Sequence, residues 1–162
     1  MHARIPALPQ RRLAEPFEAL RDAADAYLAR TGVRPRIFLA SLGPIAQHTG
    51  RATFSKNFFE TGGIEALGND GFSDPEACAA AFKASGAPLA ILCSSDALYE
   101  TMAVPVAGAL KRAGCPFLFL AGSPGDKKQT YLDAGIDDFI FLGCNVLDVL
   151  KATLVRLGAI DR

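Results

Sequence analysis

The 162-residue sequence has no tryptophan and only two histidines, and neither sign of charge is in excess, because 17 basic side chains balance 17 acidic ones. A chain without a strong positive field attracts polyanions poorly, so we expect no nucleic-acid partner. The sequence also lacks an apolar run long enough to cross a bilayer, and its start lacks an apolar core of signal-peptide length. We therefore expect no membrane association and a cytoplasmic location.

Cysteine is scarce as well, and no two cysteines form a CxxC pair. The four thiols are Cys78, Cys93, Cys115 and Cys144, each in an apolar context and none near a second histidine. This spacing does not suit a zinc site. The pattern predicts buried free thiols in a reducing compartment.

Five short apolar runs alternate with helical patterns after Pro35. The runs span 36–41, 64–67, 89–93, 117–121 and 138–142, and the helical patterns span 53–60, 74–85, 98–113, 127–134 and 146–157. Continuously apolar strands, each followed by a helix, predict a parallel sheet covered on both faces. The fold class is therefore a doubly wound, five-stranded parallel α/β sheet of the flavodoxin-like (Rossmann-like) type.

The chain divides at about residue 33 in this interpretation. Residues 1–33 form an N-terminal arm and a linker helix, and residues 34–162 form the α/β domain. The arm, 1–15, is rich in proline and arginine and is predicted to be extended. The linker helix is predicted from Pro16 to Arg30, ahead of a stop at Gly32.

Ligands of doubly wound sheets bind beyond the carboxyl ends of the strands, near the switch point between the first and third strands. The loops 42–52, 94–97, 122–126 and 143–145 lie at that edge. The candidate binding residues there are Gly43, Gln47, His48, Gly50, Ser94, Asp96 and Gly122. His48 could ligate a metal through a neutral ring nitrogen, but its loop has no carboxylate to fix the tautomer, and the alternative is a solvated or merely hydrogen-bonded loop residue. The Ser94–Asp96 segment could bind a polar ligand or cap the next helix.

Most of the chain, from about Arg12 onward, resembles a known family. The segments RPRIFLASLGPIAQHTGRATFSKNFFETGGIEAL, ILCSSDALYETMAVPVAGALKRAG and FIFLGCNVLDVLKATLVRLG are similar to the C-terminal cobalamin-binding-type domain of methylmalonyl-CoA mutase. RLAEPFEALRDAADAYLARTGVRP resembles the segment that joins the mutase barrel to that domain. The resemblance implies the same flavodoxin-like fold.

The motifs that hold cobalamin in this family are altered here. The family carries DxHxxG after the first strand, and its histidine is the lower cobalt ligand. Aligned on Gly50, this sequence has Ile45 at the aspartate and Gln47 at the histidine, while His48 falls one residue late. The family's Ser-x-Leu becomes Ser94-x-Asp96, and its Gly-Gly pair becomes Ala121-Gly122.

These departures are typical of the small, or beta, subunit of a heterodimeric methylmalonyl-CoA mutase. The resemblance then implies a vestigial cobalamin groove without a catalytic residue. It implies no cofactor in this domain, adenosylcobalamin in the large catalytic subunit, and a role in assembling or stabilising the mutase that interconverts methylmalonyl-CoA and succinyl-CoA. One alternative is a functional cobalamin-binding domain of a mutase or methyltransferase, with His48 as a displaced metal ligand. Another is a stand-alone small-molecule sensor.

Overall fold

The computed structural model describes residues 7–160 of the chain, with side chains from residue 15 onward. Its helices are α1 (Ala7–Thr31), α2 (Ile45–Glu60), α3 (Pro75–Ser85), α4 (Asp96–Arg112), α5 (Lys128–Ala134) and α6 (Val146–Arg156). Its strands are β1 (Arg36–Ser41), β2 (Glu65–Leu67), β3 (Leu89–Cys93), β4 (Leu118–Ala121) and β5 (Asp138–Ile140). A 3₁₀ turn, Gly125–Lys127, precedes α5.

The strands form one parallel sheet in the order β2-β1-β3-β4-β5. β1 and β3 are adjacent and pair along Ile37–Ser41 and Leu89–Cys93. All five residues of β3 are buried, as a central strand with both faces covered requires. The prediction of a doubly wound, flavodoxin-like α/β sheet is confirmed, and the strand order changes direction at β1, since β2 lies on one side of it and β3 on the other.

The sheet carries helices on both faces. On one face, Phe38 of β1 packs edge-to-face against Phe82 of α3, with ring centroids 5.8 Å apart. On the other face, Cys93 of β3 lies 3.4 Å from the Ser55 hydroxyl of α2. Because helices cover both faces of the sheet, the strands are apolar throughout rather than at every second residue.

Two compact units make up the described chain. The sheet unit contains residues 36–57 and 65–144, with all five strands and α3 to α5. The helical unit contains residues 7–35, 58–64 and 145–160, where α1 packs against α6. Within the helical unit, a β-carbon on Gly62 would lie 3.2 Å from the Leu150 side chain, and one on Gly63 would lie 2.6 Å from the Ala24 β-carbon. Glycine therefore allows this close approach. The division of the chain at residue 33 stays a prediction.

Two helix starts differ from the sequence-based prediction. α1 already begins at Ala7, so residues 7–15 are helical rather than extended, and Pro16 lies inside the helix. The first six residues of the predicted arm lie outside the described part of the chain. α2 begins at Ile45 rather than Thr53, so most of the predicted loop 42–52 is helix. The reason is that Gly50 and Thr49 lower helix propensity without forbidding a helix.

The helical pattern predicted over 74–85 is confirmed by α3. Asp74 caps α3 by accepting a 2.9 Å hydrogen bond from the Ala77 amide, and Pro75 is the first helical residue. The prediction of buried free thiols is confirmed for Cys78, Cys93 and Cys115, whereas Cys144 is a free thiol that is only half-buried.

Candidate functional site at the carboxyl edge of the sheet

The connection between β1 and α2 is short and firmly held. Leu42 donates its amide hydrogen to the Cys93 carbonyl at 3.0 Å, and Gly43 donates to the Phe72 carbonyl at 2.8 Å. Phe72 in turn donates to the Ser41 carbonyl at 2.8 Å. The first two residues of the predicted loop therefore continue the hydrogen bonding of the sheet, and α2 starts directly after Pro44.

His48 lies on the first turns of α2 and is only 4% exposed. Its Nδ1 is 3.1 Å from the Gly43 carbonyl oxygen, which can only accept, so Nδ1 carries the proton and donates. The ring also closes on Gly71, where a β-carbon would lie 2.5 Å from Cε1 of His48. His48 is thus a buried, hydrogen-bonded helical residue and not a solvated loop residue.

The other candidates on α2 point to different surroundings. Gln47 accepts a 2.6 Å hydrogen bond from the Ser95 hydroxyl through Oε1. Ile45 is 59% exposed. Gly50 is exposed, and a β-carbon there would have no neighbour within 4 Å. Of these three residues, Gln47 is the one whose side chain hydrogen-bonds the segment that follows β3.

Ser94 and Asp96 take two different roles after β3. Ser94 is fully buried and donates its hydroxyl hydrogen to the Leu42 carbonyl at 2.7 Å. Ser95 caps α4 by accepting from the Leu98 amide at 3.3 Å, which confirms the capping interpretation of this segment. Asp96 begins α4, and its side chain is 81% exposed. Its charge is therefore in water rather than inside a groove.

Arg51 is the residue at this edge whose role the sequence reasoning missed. Its Nη1 donates to the Ser94 carbonyl at 2.9 Å and to Asp96 Oδ1 at 2.7 Å. Its Cζ lies 5.5 Å from the centroid of the Tyr99 ring, within cation–π range. Burial lowers the pKa of Arg51, but the hydrogen bonds and charges of Asp96 and Tyr99 raise it by more, so the net shift is upward. The group is a permanent cation.

The contact between Arg51 and Gly122 completes the cluster. A β-carbon on Gly122 would lie 3.0 Å from Cζ of Arg51. One sequence signal could have found this arrangement, since Arg51 and Asp96 are opposite charges that follow neighbouring strands and so meet at one edge.

A cavity of about 380 Å³ adjoins the guanidinium, and Phe54, Ile140 and Leu142 also line it. Leu142 is 88% exposed.

The structure therefore sorts the seven candidates into three groups. Gln47, Ser94, Asp96 and Gly122 lie around Arg51 and Ser95, His48 and Gly43 pair with each other, and Gly50 stands apart. Over residues 7–160 no group of three His, Cys, Asp or Glu residues is arranged to hold a metal ion. None of the helices described has both the length and the apolar character that a membrane crossing needs.

Comparison with curated proteins finds clear relatives. The chain is 48% identical over 151 residues, 93% of its length, to the methylmalonyl-CoA mutase small subunit of Streptomyces virginiae. It is 40% identical over 157 residues to the probable methylmalonyl-CoA mutase small subunit of Mycobacterium tuberculosis (strain H37Rv), and 37% identical over 162 residues to the small subunit of Propionibacterium freudenreichii subsp. shermanii. The chain spans about a quarter of the length of these relatives, 23% to 25%. No protein-family model matches it.

Proposed function

The chain is a domain of the methylmalonyl-CoA mutase small-subunit family, and from this premise we propose that it helps to assemble or stabilise a mutase without binding cobalamin itself. The partner is the large catalytic subunit, which carries adenosylcobalamin and interconverts methylmalonyl-CoA and succinyl-CoA. The small-subunit names of the relatives support the partner. The proposal places the complex in the cytoplasm.

The observation that carries this proposal is the state of the segment that would hold the cofactor. Cobalt ligation needs an imidazole that a carboxylate orients and that faces the ligand. His48 is 4% exposed and hydrogen-bonds a backbone carbonyl, and residues 45–51 belong to α2. The residues present do not fit cobalamin.

The substituted positions support the same view. Ile45 has no group that could accept a hydrogen bond from an imidazole, and its side chain is exposed. Gln47 is engaged by the Ser95 hydroxyl at 2.6 Å. An amide is also a weaker metal ligand than an imidazole. These residues are consistent with a site that no longer serves a cofactor and with a fold kept for another purpose.

Co-purification with the large subunit tests the assembly role. We would co-express the tagged chain with an untagged large subunit and, separately, the tagged full-length small subunit with the same partner. We expect the large subunit to elute with both tagged proteins and in higher yield than when it is expressed alone. If it elutes with the full-length protein but not with this chain, the assembly surface lies outside the domain and the proposal for this chain is wrong.

A cobalamin titration tests the cofactor part independently. Purified chain is mixed with hydroxocobalamin, passed through a desalting column and examined by visible absorption. We expect no corrin to be retained. A retained corrin with the spectrum of a histidine-ligated cobalt, lost in His48→Ala but kept in the Gln47→Ala control, would instead support a functional cobalamin domain.

A further inference from the structure

The guanidinium of Arg51 fills the space that Gly122 leaves by having no side chain. A β-carbon on Gly122 would lie 3.0 Å from Cζ and within 3.1 to 3.2 Å of both terminal nitrogens. Real β-carbons seldom approach other atoms so closely. The Arg51 guanidinium therefore lies directly against the backbone of Gly122. Gly122 also has a φ of 135°, which side chains rarely adopt. The space beside Gly122 is therefore occupied by the Arg51 side chain of the same domain.

The same guanidinium also lies near an aromatic ring. Tyr99 is 2% exposed, and its ring centroid is 5.5 Å from Cζ of Arg51. The 380 Å³ cavity borders both Arg51 and Gly122. Removing the arginine side chain would join its volume to this cavity and uncover the Tyr99 ring. The enlarged space would have a flat aromatic surface and a glycine, which suits a planar heteroaromatic group.

We propose that Arg51 blocks a groove at the carboxyl ends of β3 and β4, and that truncating it opens a site for a planar heteroaromatic ligand. This inference rests on the proposed absence of cofactor binding and names the residue responsible for it. The two hydrogen bonds to the Ser94 carbonyl and to Asp96 hold the side chain in the groove. The cation–π contact adds to this hold.

The neighbouring substitutions do not block the groove in this way. The Asp96 side chain is 81% exposed, so its carboxylate occupies little interior space. The His48 ring closes on Gly71 and Gly43 rather than on Gly122. The nearest atoms to a β-carbon on Gly122 all belong to Arg51. The assignment is therefore to Arg51 and not to His48.

The main test measures binding of 5,6-dimethylbenzimidazole to the chain by calorimetry and by amide chemical shifts. We expect Arg51→Ala to bind it at least about tenfold more tightly than the wild type, with shifts at Gly122 and Tyr99; apolar cavities created by truncation do bind aromatic molecules. The matched control is Arg112→Ala, which removes an exposed arginine of the same unit that pairs with Glu76 at 2.9 Å. Equal binding by all three proteins, or a folded Arg51→Ala that does not bind, overturns the proposal.

A double-mutant cycle gives an answer that does not depend on ligand binding. Gly122→Ala should lower the urea midpoint of the wild type through the steric conflict with Arg51 and through its positive φ. In the Arg51→Ala background the conflict is gone and only the backbone strain remains, so the same substitution should lower the midpoint by less. Equal decreases in both backgrounds show that Arg51 does not occupy this space, and the proposal then fails.

The two proposals can fail separately. Probe binding and the urea midpoints are measured on this chain alone, whereas assembly is measured with the large subunit. If the chain does not co-purify with the large subunit but Arg51→Ala binds the probe more tightly, the assembly role is wrong and the blocked groove stands. If the chain co-purifies but Arg51→Ala changes neither probe binding nor the effect of Gly122→Ala, the blocked groove is wrong and the assembly role stands.

Discussion

The Ser94 hydroxyl donates a 2.7 Å hydrogen bond to the Leu42 carbonyl and so joins the carboxyl end of β3 to that of β1. Both residues are completely buried. A buried carbonyl that loses its donor retains the desolvation penalty without compensation. The bond is therefore a structural link at the carboxyl edge of the sheet, where the candidate site lies.

Ser94→Ala should lower the free energy of unfolding by about 1–2 kcal/mol, because it removes this buried hydrogen bond. Urea denaturation followed by circular dichroism measures the change. Ser123→Ala serves as the control, since Ser123 is an exposed serine at the end of the neighbouring strand. If Ser94→Ala is no less stable than the control variant, the hydroxyl does not hold the two strand ends together.

Tyr99→Phe should cost about 1–3 kcal/mol of stability. The buried hydroxyl accepts from the Ser94 amide at 3.0 Å and lies 2.7 Å from the Ala121 carbonyl oxygen, to which it donates. Phenylalanine leaves the amide and the carbonyl without this partner. Tyr131→Phe is a suitable comparison, because Tyr131 is also buried but its hydroxyl makes no hydrogen bond to the described residues. Equal thermal midpoints for the two variants would contradict the prediction.

The domain should lose stability in alkaline solution. Burial raises the pKa of Cys78 and Cys93 to about 12 and that of Cys115 to about 11, from a value of 9.0. Each folded pKa is above the unfolded one, so the stabilisation is complete below about pH 9 and is lost as the pH rises toward 12. Each thiol contributes a loss of up to about 1.4 kcal/mol per pH unit in that window.

Urea titrations at unit steps from pH 7 to pH 11 would measure this loss. In Cys78→Ala the free energy of unfolding should fall less steeply above pH 9, by up to about 1.4 kcal/mol per pH unit, because one ionising thiol is gone. Val106→Ala, a buried substitution without a titratable group, should lower stability by the same amount at every pH. A stability that stays constant from pH 8 to pH 11 would show that the thiols ionise as easily in the folded protein as in the unfolded one.

The sheet could be predicted from the sequence because its signals are local and repeated. RIFLAS and LAILC are continuously apolar, and each is followed by a helical pattern. Burial on both faces produces that texture, and parallel pairing follows from it. The start of α1 was predicted wrongly because a local signal was misleading. Pro16 is typical of a first helical position, yet here it lies within a helix of 25 residues.

The site was predicted less completely than the fold. Gln47, Ser94, Asp96 and Gly122 do meet at one edge, which follows from parallel topology. Arg51 organises three of them through side-chain geometry that no local pattern encodes. Only the opposite charges of Arg51 and Asp96, placed after neighbouring strands, indicate the contact in advance. His48 drew attention because histidine is rare here, but rarity says nothing about burial.

Gly50→Ala should stabilise the domain by about 0.5–1 kcal/mol. Gly50 lies inside α2, where glycine loses more backbone freedom on folding than alanine does. A β-carbon at this position would have no neighbour within 4 Å, so the added methyl group causes no conflict. Guanidinium denaturation of the purified variant measures the gain, and the helical signal should persist to a higher denaturant concentration than in the wild type.

Gly43→Ala is the matched contrast, because the same substitution should there be destabilising. Gly43 has a φ of 78°, and its β-carbon would collide with the Leu98 side chain. The opposite signs distinguish a helical α2 from a glycine-bracketed loop over residues 45–52. In a loop that needs Gly50 for its conformation, both substitutions would lower stability. A loss of stability in Gly50→Ala would therefore mean that α2 begins later in solution, near Thr53.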